Sequence, residues 1–118
     1  MAPSLADLNR KTVETQLKCY NTRDLEGFCA CYHSEIIVEW IVSGRKISQG
    51  IDAFRAQYQK LFASSPALHC EVKHRSFVGE TIIDEEFVTG ISGLEDGLHT
   101  VAIYGFRDGL IDRVWFVR

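Results

Sequence analysis

Most of the strong sequence signals for a specialised role are missing from this chain. No apolar run approaches the ~20 residues that cross a bilayer, so no membrane-spanning helix is expected. Neither a basic tract nor a long acidic run is present, and the net charge is −3. That balance argues against a nucleic-acid surface or an anionic membrane as partner. Met1 to Arg10 lacks the apolar stretch of a signal peptide, which leads to the expectation of a cytoplasmic protein. There is no serine-nucleophile motif, phosphate loop or metal-ligand cluster, so no cofactor is implied. Internal repeats, low-complexity segments and linkers are likewise missing. With 118 residues, the expectation is one domain over 1–118, large enough for a core without staples.

Cysteine is scarce in the way that matters. The four are Cys19, Cys29, Cys31 and Cys70, and in a reducing compartment they read as small buried apolar residues. Cys29-Ala-Cys31-Tyr-His33 looks like a metal motif on paper. On a helix, however, Cys29 and His33 share a face while Cys31 points the other way. No second ligand pair follows at zinc-site spacing, so no metal is expected.

What is present is a readable alternation of helix and strand signals. Hydrophobic residues make up 46% of the chain and charged residues 25%, as in an ordinary globular domain. Ser4 with Asp7 three residues on suggests a capped first helix, whose stripe runs Leu8, Thr12 or Val13, Gln16, Leu17, Tyr20. Gln16 either reaches water at the stripe's edge or offers a polar group to a cavity. Asp24 is a good N-cap for a second helix carrying Leu25, Phe28, Cys29 and Tyr32 on one face. Glu35 to Val42 is β-branched and strand-like, Ser43-Gly44 suits a tight hairpin, and Arg45 to Gln49 returns as a short strand. A third helix runs from Ile51 to about Ser64, ended by Pro66. Four strands follow, with turns at Gly79-Glu80, Ser92 to Gly97 and Asp108-Gly109. The order α-α-β-β-α-β-β-β-β predicts an α+β fold: helices on one face of a curved, mostly antiparallel sheet, enclosing a pocket. The last two strands are apolar on both faces, so the helices would cover one side and a second subunit the other.

These residues resemble a known family. Asn21-x-x-Asp24-Leu25-x-Gly27, a strand ending Val38-Glu39-Trp40, Gly50 to Tyr58, and the hairpin Ile103 to Ile111 followed by Arg113-Val-Trp-Phe are similar to the NTF2-like superfamily. Within it the likeness is to SnoaL-like and steroid Δ-isomerase-like proteins, and it runs from about Val13 to Arg118. It implies a cone-shaped, cystatin-like fold with three helices in the N-terminal half. Steroid isomerases of this family use a carboxylate base and an oxyanion hole of a tyrosine and a protonated aspartic acid. By position, the base falls on Trp40, the oxyanion tyrosine on Gln16 and the acid on Ile103, so all three differ. Only the supporting tyrosine of the third helix is kept, as Tyr58. An indole cannot take a proton from carbon, so that mechanism is not expected here.

Strand parity, anchored on those matches, gives an inward set of Ile36, Val38, Trp40, then Leu68, Cys70, Val72, then Ile83, Glu85, Phe87, Thr89, then His99, Val101, Ile103. Its apolar character suits a small hydrophobic or aromatic ligand, with Gln16, Trp40, Tyr58, Cys70, Phe87 and Ile103 as binding residues. Glu85 and His99 are the candidate acid and base. A carboxyl in an apolar pocket has its charged form disfavoured, and histidine titrates near neutrality. Against this, Asp84-Glu85-Glu86 also reads as a solvated strand edge, and a one-residue slip would bring in Asp84 and Glu86 instead. His99 also reads as a rim residue. His69 and His74 are expected at the surface, and Glu39 as the ion-pair partner of Arg113 or another basic residue. The functional expectation is a SnoaL-like pocket protein, as an acid–base enzyme or as a binding protein. An association domain, a homodimer through the open sheet face, is the alternative.

Overall fold

Local chemistry sets each helix end. The Ser4 hydroxyl accepts the Asp7 N–H at 3.1 Å, opening α1 (Leu5–Asn21). The Asp24 carboxylate accepts the Gly27 N–H at 3.0 Å, opening α2 (Leu25–Cys29). That helix is one turn shorter than its apolar stripe suggests. Tyr32 instead begins β1 (Tyr32–Trp40), because it pairs with Ile111 and the Cys31 carbonyl accepts the Ile111 N–H at 3.0 Å. The structure is a computed structural model and describes residues 3–118.

The remaining elements are β2 (Lys46–Gln49), α3 (Ile51–Ser64), β3 (His69–Val78), β4 (Thr81–Thr89), β5 (Leu98–Arg107) and β6 (Leu110–Val117). This is the expected order. The β1–β2 connection is longer than a two-residue hairpin: Ile41 to Arg45 lie outside the strands, and Val38/Glu39 carries a register shift. The six strands form one curved, open sheet in the order β2-β1-β6-β5-β4-β3, antiparallel except for β1 beside β6. The fold is therefore the NTF2-like α+β arrangement that the resemblance implies.

The helices are held to the sheet by aromatic rings. Phe28, fully buried on α2, lies 5.7 Å from Phe54 and 4.7 Å from Tyr58 of α3, 5.8 Å from Tyr20 of α1 and 5.1 Å from Tyr32 of β1, centroid to centroid. Each such contact adds about 0.5–1.5 kcal/mol beyond area burial. The four cysteines are buried and unpaired, as expected of small apolar residues.

One irregularity in the sheet matters for the site. Between Val72 and His74 the β3–β4 register shifts by one residue, so Lys73 is bulged out. Before it, Cys70 and Val72 share the inner face; after it, Arg75 does. The Arg75 guanidinium thus meets the fully buried Asp84 in a two-pronged ion pair, at 2.7 and 2.9 Å. Without the bulge, strict alternation from Cys70 and Val72 would place Arg75 on the outer face with His69 and Glu71.

Two turn glycines separate strain from collision. Gly79 (φ +59°) and Gly90 (φ +78°) both occupy the left-handed region. A Cβ at Gly79 meets nothing within 4 Å, whereas at Gly90 it would come within 2.1 Å of the Ala67 carbonyl oxygen. Gly79→Ala is expected to cost about 1 kcal/mol from backbone strain alone, read from urea midpoints. Gly90→Ala should cost clearly more, because the β3 entry must also shift. Equal losses would contradict this placement.

Candidate functional site

A cavity of about 290 Å³ lies between the helices and the inner face of the sheet. This is near the lower end of small-molecule sites. α1 contributes Gln16, Leu17 and Tyr20, α3 contributes Gln57, Tyr58 and Leu61, the loop after β4 contributes Ile91, and the strands contribute the rest. Its deep end is closed by Gln16, Tyr32 and Tyr104, all buried. It reaches solvent where exposed Gln57 and half-buried Trp40 and Phe116 line it.

The one group in its wall that titrates near neutrality is Glu86. Its side of β4 faces inward, with Ile82, Asp84 and Val88, and the residue is only 7% exposed. Burial, reinforced by the neighbouring Asp84 carboxylate, lifts the Glu86 carboxyl to about 7, and the hydrogen bond from Tyr104 works against that rise. The Tyr104 hydroxyl donates to Glu86 Oε2 at 3.3 Å. Around it the other acids are silent. Burial pushes the phenols of Tyr20, Tyr32, Tyr58 and Tyr104 and the thiol of Cys70 upward, so each stays protonated at neutral pH. Gln16 Nε2 donates to the Tyr32 hydroxyl at 3.0 Å, which orients both at the floor.

Of the residues expected at the site, Gln16, Trp40, Tyr58 and Cys70 line the cavity, and Gln16 takes its cavity-facing reading. Glu85, His99, Phe87 and Ile103 do not. They lie on the outer face of the sheet, where His99 Nε2 sits 2.7 Å from Glu85 Oε2, with side chains 64% and 45% exposed. The inner residues are Glu86 opposite Thr100 and Asp84 opposite Ala102, so the register is the slipped alternative. The cause is that both faces of β4 carry acids and aliphatic residues: Ile82, Asp84, Glu86, Val88 on one, Ile83, Glu85, Phe87 on the other. Alternation alone could not choose between them. On β5 the same shift replaces Ile103 with Tyr104 as the inward residue near the site. Tyr104 was overlooked for that reason, and Tyr32 because it was assigned to a helix. The Glu39–Arg113 pair forms as expected, at 2.8 Å.

The arrangement can therefore donate or accept one proton at Glu86, inside a wall of neutral hydroxyls and apolar side chains. Among the described residues, no three His, Cys, Asp or Glu side chains come together in a way that could hold a metal ion.

Comparison with known proteins agrees with this geometry. No functionally curated protein matches the chain. Among solved structures, a cystatin-fold protein from Novosphingobium aromaticivorans is similar at 24% identity and a TM-score of 0.85, covering 93% of this chain and 97% of that one. A candidate ketosteroid isomerase from Kribbella flavida is similar at 18% identity and TM-score 0.77, covering 93% and 76%. A candidate polyketide cyclase from Sinorhizobium meliloti is similar at 16% identity and TM-score 0.75, covering 91% and 94%. The profile of the SnoaL-like domain matches residues 13–114. The chain thus belongs to the SnoaL-like family of the NTF2-like superfamily.

Proposed function

We propose that the cavity takes a small apolar or aromatic molecule and that Glu86 moves a proton on it without a cofactor, as in an isomerase, cyclase, dehydratase or hydrolase. The observation that carries this reading is a carboxyl held near neutral pH in the wall of a largely apolar cavity. Tyr104 and the other neutral phenols would hydrogen-bond the oxygen on which charge develops. The isomerase and cyclase names of two similar structures are of the same chemical kind. The steroid-isomerase base has no counterpart, since Trp40 stands there, so the proton would be taken from a different direction.

A specific observation favours a second role alongside the first. Ile83, Phe87, Val101, Ile103 and Trp115 form a half-buried, mainly apolar outer face on the sheet. A second copy of the chain seated there would give a homodimer, and sedimentation at micromolar concentration would then show twice the monomer mass.

Glu86 itself is testable through stability. It stays protonated in the folded chain to about pH 7, but in the unfolded chain only to about 4.5. The folded state binds more protons between those values, so this group's contribution falls as pH rises through the window, by about 3 kcal/mol at most. Glu86→Gln should flatten that decline, making the variant relatively more stable at pH 8 than at pH 5. Parallel urea curves for both proteins would mean Glu86 is not perturbed.

The catalytic reading is checked by proton exchange. In D₂O, the protein should speed α-proton exchange of an aryl ketone such as 2-indanone, and more so above pH 7. Glu86→Gln should lower that rate about 10²-fold or more. Ketone binding with buffer-level exchange, indifferent to the substitution, would leave a non-catalytic binding protein.

A further inference from the structure

The β5–β6 register carries a residue that the cavity lining does not include. Val101 is opposite Val117 and Ala102 opposite Phe116. Continuing by one residue sets Arg118 opposite Thr100, whose hydroxyl donates to the Val117 carbonyl at 2.8 Å. Thr100 is in turn opposite Glu86. Arg118 also has the parity of Val114 and Phe116, both of which line the cavity. One row across the inner face of the sheet therefore reads Arg118, Thr100, Glu86, with two strand spacings, about 10 Å, from end to end.

The side chain itself turns toward β1. The Arg118 guanidinium carbon sits 4.4 Å from the ring centroid of Trp40, at the solvent end of the cavity. The indole ring attracts the cation, while the residue stays exposed to solvent. Among the described residues its charge is in no ion pair, in contrast to Arg55, Arg75, Arg107 and Arg113. The molecule otherwise pairs most of its arginines with carboxylates, and this one is left at the mouth of a cavity.

Resting on the reading of the cavity as a ligand site, we infer that Arg118 is a specificity-determining residue, and that the ligand carries an anionic group, a carboxylate in particular. The planar fork of the guanidinium would take both carboxylate oxygens at the rim. The apolar body would lie along Trp40 and Phe116, and the reacting oxygen or carbon about one ring system deeper, at Glu86. Placing the charge at the rim keeps it in water and away from the acid at depth. Two like charges in so small a cavity would repel, so a carboxylate at the far end is disfavoured.

The test uses two probes with the same body, 2-naphthylacetate and 2-naphthaleneethanol, titrated calorimetrically. The wild type should bind the anion about tenfold more tightly than the alcohol, and added salt should narrow the gap. Arg118→Gln should bring the two affinities together while leaving that for the alcohol unchanged. Arg118→Lys should restore part of the preference. If Arg118→Gln leaves the anion-to-alcohol ratio unaltered while the alcohol still binds, the assignment of Arg118 is wrong and the ligand site stands. If neither probe binds the wild type, the ligand site is wrong and the inference falls with it.

Discussion

The ring of Phe28 is the contact on which the cavity depends. It touches aromatic side chains from α1, α3 and β1 at once, and also Phe62 at 5.5 Å. A helix of five residues could not hold a roof by its own propensity. Here the rings fix the helices at a set height over the sheet. Aromatic side chains are rigid and long, so they brace the gap at one end instead of filling it. Tyr20 and Tyr58 belong both to that brace and to the cavity wall, which ties the shape of the hollow to the packing of the core.

Strand β4 then sorts three consecutive carboxyls into three environments. Asp84 is buried against Arg75, Glu85 is half exposed beside His99, and Glu86 is buried in the cavity wall. Asp84 answers a cation already present in the fold. Glu86 has a phenol and a thiol near it but no cation in contact, and that difference leaves it to titrate near neutrality. The chemistry of the site follows from which partner each carboxyl lacks.

Much of the fold was legible in the residues. Asp24, Gly50, Pro66 and Asp108-Gly109 punctuate the chain with backbone preferences that tertiary contacts do not override, and α3 and β6 fall where periodicity places them. The site was legible only in part. Gln16, Trp40, Tyr58 and Cys70 could be found because each sits on an element with one clear apolar face. Glu86 and Tyr104 could not, because β4 and β5 are nearly symmetrical in polarity across the sheet. The inward turn of Arg75 is equally illegible, since nothing in Lys73 announces a bulge. Facing is a property of the pairing between strands, and a single strand does not contain it.

The extra residue at Lys73 makes the length of β3 a constraint in its own right. Without that residue, Arg75 would swing into solvent and Asp84 would be stranded, a buried charge with no counter-ion. Exposed side chains along this edge can be exchanged at little cost, but a loss or gain of one amino acid there amounts to turning half the strand inside out. Drift in this lineage should therefore proceed by replacement along β3, with changes in length confined to the loops.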